Sequence, residues 1–115
     1  MNQAQQKLAP VIALDDMRQN AAQAVRLLKS LANESRLMIM CVLAEGELSV
    51  GALNDRIALS QSALSQHLAL LREQGMVTTR RESQTIYYAL AQTEAIDLIQ
   101  LLHDIYCSPE SGSGC

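Results

Sequence analysis

Residues 59–77 read LSQSALSQHLALLREQGMV, and this stretch decides the fold. Its apolar residues recur at helical spacing, at Leu64, Leu68 and Leu71, which predicts one buried stripe on a helix. Ser60 is a good N-cap and Gly75 is placed to end the helix, so we expect it to run from residue 61 to about residue 74.

The opposite face of this helix carries small and neutral side chains, namely Ser62, Ser65, Gln66 and Ala69. Hydroxyls and amides hydrogen-bond to base edges and phosphates, and small residues allow close approach to the major groove. The pattern predicts a helix that reads DNA. A polar surface helix without a ligand is the alternative.

The neighbouring elements are those of a winged helix-turn-helix, a mainly α fold with a small β-hairpin in the order ααααββα. A first helix is predicted from Asp15–Asp16. Asn33 caps a second helix to about Ala44, whose buried stripe we expect at Leu37, Met40, Cys41 and Ala44. Ser49 caps a short third helix. The hairpin is expected from strands 76–80 and 84–90 with a turn at 81–83, and a last helix covers 94–107.

The composition fits one helical domain without a membrane segment. The chain has 115 residues, 49% of them hydrophobic but only 3% aromatic. We expect a mobile arm at 1–14, the domain at 15–107 and a disordered tail at 108–115. Without a signal peptide or a span of roughly 20 apolar residues, a cytoplasmic location is expected. The three cysteines then point to reactive thiols more than to a disulfide framework.

The charge distribution does not carry the DNA prediction. The net charge is −3, and the acidic excess lies in residues 91–115, which hold four carboxylates and no Lys or Arg. Residues 60–90 have a net charge of +1. Arginines at the hairpin tip are expected to reach phosphates or the minor groove. The candidate DNA contacts are Gln61, Ser62, Ser65, Gln66, His67, Arg80, Arg81, Gln84 and Thr85.

The last helix is apolar around most of its circumference, at Ile96, Leu98, Ile99, Leu101, Leu102, Ile105 and Tyr106. A terminal helix on a monomer needs only one apolar stripe. The second apolar face predicts a homodimer.

Three segments resemble the ArsR/SmtB family of bacterial repressors: 59–77 its recognition helix, LLKSLANESRL at 27–37 its first helix junction, and RRESQTIYY at 80–88 its wing. The resemblance covers roughly residues 15–107. It implies a dimer through the first and last helices, and binding to operator DNA that an inducer releases. Ser49 and Gly51 stand where metal-sensing relatives often carry Cys, which disfavours a metal site.

The segments GELSVG at 46–51 and LLHDIYC at 101–107 resemble the thiol-switch branch of that family, the BigR-, SqrR- and HlyU-like regulators. The resemblance implies a repressor that binds DNA as a dithiol and is released when persulfide or another oxidant bridges Cys41 and Cys107. No cofactor is implied, and Cys115 is expected to be incidental. The alternative for Cys41 is a small buried hydrophobic residue.

Four other functions remain open on the sequence. An activator or anti-repressor would use the same thiol chemistry, and a metal-responsive repressor the same fold. A thiol oxidoreductase would want a close Cys pair or an activating base, and Cys41 and Cys107 are 66 positions apart. A winged helix used only for protein contact would not need the Ser/Gln face.

Overall fold

The computed structural model describes residues 13–91 and 93–107, and the winged arrangement is confirmed within them. The elements in chain order are helices α1 (Leu14–Leu31) and α2 (Glu34–Ala44), strand β1 (Leu48–Ser49), helices α3 (Val50–Arg56) and α4 (Gln61–Glu73), strands β2 (Val77–Glu82) and β3 (Thr85–Leu90), and helix α5 (Thr93–Tyr106). Helix α1 begins at Leu14, inside the predicted arm. The rest of that arm, except residue 13, and the predicted tail lie outside the described residues.

Three helices begin where a polar side chain caps them, as predicted. Asn33 Oδ1 accepts from the backbone N–H of Arg36 at 3.0 Å. Ser49 Oγ caps α3 through Ala52, and Ser60 Oγ caps α4 through Ala63, both at 3.1 Å. Each cap satisfies one of the backbone donors that a helix start leaves unpaired.

Helix α2 runs through the middle of the molecule, and the predicted stripe on it is only partly right. It packs against α1, α4, β3 and α5. Its fully buried residues are Ile39, Met40, Val42 and Leu43, which share one broad face. Of the predicted stripe only Met40 is fully buried, while Leu37, Cys41 and Ala44 are half-buried and pack against the core from the edge of that face. A helix contacted from several sides buries a broad face, so its helical period does not single out the core positions.

The sheet has three strands in the order β1-β3-β2, all antiparallel. The short strand β1 was not predicted, because two residues cannot show an alternating pattern. Strand pairing in the hairpin runs from Val77↔Leu90 to Glu82↔Thr85, so the turn is Ser83–Gln84 and not 81–83. Ser83 has φ 58°, which permits the tight turn without the Gly or Asn that usually marks one.

Candidate DNA-binding surface and cysteine pair

Helix α4 is held in a helix-turn-helix by side chains on both sides of the turn. Leu64, Leu68 and Leu71 are each at most 1% exposed, which confirms the predicted stripe. Asn54 of α3 donates from Nδ2 to the carbonyl oxygen of Leu59 at 3.0 Å and so closes the turn between the two helices. Sequence reasoning missed Asn54, although a polar residue within a short capped helix was a visible signal.

The outward face of α4 presents the side chains predicted to read DNA. Gln61, Ser62, Ser65 and Gln66 are exposed, and His67 is half-buried at the edge of the stripe. Ser65 and Ala69 line a groove of about 460 Å³ between α4 and Tyr88 of β3. The helix face and the hairpin therefore form one continuous surface.

Arg36 fixes the junction between α1 and α2. Its guanidinium donates to the carbonyl oxygens of Ser30 at 2.9 Å and Lys29 at 3.1 Å. These carbonyls belong to the last turn of α1, where the regular helical hydrogen bonding ends. The Lys29 carbonyl also accepts from the backbone N–H of Ala32 at 3.3 Å. Arg36 therefore works as a side-chain cap across the junction, a role that the sequence analysis did not identify.

Arg80 and Arg81 do not lie at the hairpin tip, which corrects the prediction. Both belong to β2, and the turn begins at Ser83, three positions after Arg80, because pairing continues to Glu82. Arg80 donates from Nε and Nη2 to the two carboxylate oxygens of Glu47 at 2.8 and 2.9 Å. It also reaches Glu82 at 3.3 Å and lies 4.5 Å from the ring centroid of Tyr87.

The other predicted wing contacts are exposed. Arg81 forms no ion pair with any residue that the structure describes. Gln84 lies in the turn and not on the returning strand, and Thr85 begins β3.

The two helices that carry the predicted thiols are packed together. Cys41 is a free, half-buried thiol on α2, and Cys107 follows the last residue of α5, which packs against α2. The backbone N–H of Cys107 donates to the His103 carbonyl at 2.7 Å, so the helical hydrogen bonding extends to it. The Cys107 sulfur is not free, and because Cys41 is free the two are not bridged to each other.

Burial raises the pKa of the Cys41 thiol, and the negative charge of Glu45 one helical turn later adds to the effect. At neutral pH Cys41 is therefore held as the thiol, a weaker nucleophile than the thiolate.

The described residues contain no group of three or more His, Cys, Asp or Glu side chains that could hold a metal ion. Within the same ranges, no helix is long and apolar enough to cross a membrane.

Comparison with known proteins places these features in a family. Residues 33–79, which include the helix-turn-helix, match the family described as "Bacterial regulatory protein, arsR family". The transcriptional activator HlyU of Vibrio cholerae is 57% identical over 94 residues, which are 82% of this chain and 87% of HlyU. The biofilm growth-associated repressor of Agrobacterium fabrum is 48% identical, with 86% of this chain and 85% of the relative covered.

Solved structures agree with the sequence comparison. The transcriptional repressor BigR of Xylella fastidiosa superposes with a TM-score of 0.78 at 43% identity, covering 84% of this chain and 98% of BigR. A homodimeric winged helix-turn-helix domain from Mycobacterium bovis superposes with a TM-score of 0.71 at 28% identity, covering 90% of this chain and 95% of that domain. The fold, the capped helix-turn-helix and these similarities together show that this chain belongs to the ArsR family of bacterial transcriptional regulators.

Proposed function

We propose that this chain is a homodimeric transcriptional regulator that binds operator DNA through α4 and the hairpin and loses affinity when Cys41 and Cys107 are bridged. The observation that carries the switch is the packing of α2, which holds Cys41, against α5, which Cys107 directly follows. Binding to chromosomal DNA implies a cytoplasmic location.

The DNA-binding part of the proposal is supported by the outward face of α4. That face is neutral, short in side-chain length and rich in hydrogen-bonding groups, and it adjoins the wing. Such a face suits the major groove, where side-chain amides and hydroxyls meet base edges at close range.

The dimer is supported by apolar side chains that the single chain leaves in water. Leu28 of α1 is 55% exposed, and Leu101 and Ile105 of α5 are 53% and 56% exposed. The opposite side of α5 is buried through Ala95 and Ile99, so this helix has two apolar faces. A second copy covering α1 and α5 would remove this surface from water.

The bridging step oxidises two thiols and needs a two-electron acceptor. With one organic persulfide, the products are a protein disulfide, an organic thiol and hydrogen sulfide. With two organic persulfides, one sulfur atom stays between the cysteines as a trisulfide, and two organic thiols and one hydrogen sulfide leave. A plain disulfide needs Cα atoms about 4.4–6.8 Å apart, so a longer separation would favour the persulfide inducer.

The bridge alters DNA binding because α5 serves two purposes. It carries one cysteine and also part of the proposed dimer surface, so a shift of α5 changes the separation of the two recognition helices. Two half-sites of an operator are read one helical turn apart, and this spacing tolerates little change. A coupling of about 1–3 kcal/mol would lower the affinity about 5- to 150-fold.

The direction of regulation follows the promoter. Relatives of comparable similarity include an activator and repressors, and the chemistry proposed here serves both. We propose repression as the simpler outcome of occupying an operator. An activator that displaces another DNA-bound protein is the alternative, favoured by the similarity to HlyU.

Mass spectrometry tests the proposed chemistry. Fully reduced protein is treated in parallel with an organic persulfide, hydrogen peroxide and an organic disulfide, and peptides are mapped without reduction. We expect a cross-link that joins the peptides of Cys41 and Cys107. Cross-links that involve only Cys115, or only thiols on different chains, would contradict the proposal.

A further inference from the structure

The two neighbouring arginines of the wing have opposite surroundings. Successive residues of a strand point to opposite faces of the sheet. Arg80 pairs with Tyr87 on one face, whereas Arg81 pairs with Ile86 on the face that also holds the pair Thr79↔Tyr88. Tyr88 faces α4 across the groove, so Arg81 shares its face with the DNA-reading helix and Arg80 does not.

Electrostatics separate them further. The guanidinium of Arg80 lies between the carboxylates of Glu47 and Glu82, so this cluster has a net charge of −1. The contact with Glu47 is bidentate, the geometry in which an arginine–carboxylate pair is most specific. A phosphate approaching Arg80 would meet two carboxylates, whereas Arg81 has no ion pair among the residues described.

The Arg80 side chain also spans the sheet. It starts on β2, lies over Tyr87 of β3 and ends on Glu47, which immediately precedes β1. One side chain therefore links β2 and β3 to the residue that leads into β1. Strand β1 has only two residues and pairs with β3 only at Leu48↔Tyr88 and Ser49↔Tyr87.

We infer that Glu47 is a positioning residue that fixes the wing through Arg80, and that Arg81, not Arg80, makes the phosphate contact of the wing. This inference rests on the proposed DNA-binding function for its second half. The first half concerns the free protein and is tested without DNA.

The DNA test compares Arg80→Ala, Arg81→Ala and Glu47→Gln on a promoter fragment that the native protein binds, by fluorescence anisotropy at about 50–200 mM salt. For Arg81→Ala we expect the slope of log K against log salt concentration to become less negative by about 0.9 per protomer, because one phosphate contact is lost. For Arg80→Ala and Glu47→Gln we expect affinity to fall about fivefold or less, with the native slope. The double variant Arg80→Ala/Glu47→Gln should be no weaker than either single one.

The result that would overturn the inference is equally specific. If Glu47 only restrains a DNA-contacting Arg80, Glu47→Gln will bind DNA more tightly than the native protein, and Arg80→Ala will flatten the salt slope. Glu34→Gln is the matched control, since it removes an exposed carboxylate that pairs with no cation in the described part of the chain.

Limited trypsin digestion of the free protein tests whether Glu47 fixes the wing through Arg80. Glu47→Gln should speed cleavage after Arg80, while Glu34→Gln should cleave at the native rate. Equal cleavage rates for the native protein and the two variants would contradict the positioning role of Glu47. If Glu47→Gln is cleaved faster but the native protein binds no DNA, the proposed function is rejected and the positioning role of Glu47 is still supported.

Discussion

At the residue scale, the chemistry of the molecule depends on which side chains are already engaged. Arg36 and Arg80 are cationic but are bound to carbonyls and carboxylates of their own chain. The outward side chains of α4 are neutral and exposed. The sequence shows residue types, but it does not show that Glu47, 33 positions before Arg80, lies beside it.

Two side chains of α4 should carry base contacts. We expect Ser65→Ala and Gln66→Ala to weaken operator binding by about 1–3 kcal/mol per half-site when a base contact is lost. Because both residues are exposed, thermal unfolding should be unchanged. Titrations of operator and unrelated duplexes would check this, and equal affinity of both variants and the native protein for operator would contradict the role of this face.

The carboxylate of Glu45 should influence the reactivity of Cys41. Its charge contributes to the raised pKa of that thiol, so Glu45→Gln should lower the pKa and speed alkylation of Cys41 near pH 8. The same raised pKa makes the folded protein hold this proton more tightly, so folding stability falls as pH rises above the unfolded pKa of about 8.5. Iodoacetamide rates across pH, with Glu34→Gln as control, measure the effect, and an unchanged profile would show that Glu45 has no such influence.

At the scale of elements, capping and periodicity predicted most of the fold. The caps Asn33, Ser49 and Ser60 each act through local hydrogen bonds, which a sequence displays directly. The stripe predicted on α2 was only partly right and the position of the hairpin turn was wrong, because both depend on contacts with other elements. Side chains alternate between the two faces of a strand, so Arg80 and Arg81 would have been assigned to opposite faces of β2. The turn was expected at 81–83, however, which placed Arg81 outside the strand.

The cap of α4 offers a test at this scale. Ser60→Ala should destabilise the protein by about 1 kcal/mol, because the backbone donor of Ala63 loses its partner. Ser60→Gly should cost only a few tenths of a kcal/mol, since glycine is tolerated at an N-cap. Urea unfolding compares them, and equal stability of Ser60→Ala and the native protein would mean that the cap contributes nothing.

At the scale of the whole molecule, α1 and α5 expose apolar surface that the single chain does not use. Leu101→Glu should therefore split the proposed dimer and abolish operator binding together, because two half-sites must be held at one spacing. Gln100→Glu adds the same charge on the polar side of α5 and should leave the dimer intact. Sedimentation of the native protein as a monomer at micromolar concentration would contradict the dimer.

The α4 face and the cysteine pair were predictable from the sequence to different extents. The α4 face follows from helical spacing alone, and the cysteine pair came from resemblance, since their positions are 66 residues apart. Cys115 lies outside the described residues, so its lack of a role remains a prediction. What brings Cys41 and Cys107 onto neighbouring elements is the packing of α2 against α5, which no local pattern encodes.

Operator affinity before and after persulfide treatment tests the central claim most directly. Reduced native protein, Cys41→Ser, Cys107→Ser and Cys115→Ser are titrated with the same operator, then treated with an organic persulfide and titrated again. We expect the native protein and Cys115→Ser to lose affinity about 5- to 150-fold, and the other two variants to keep theirs. A Cys41→Ser protein that still releases DNA after treatment would contradict the account.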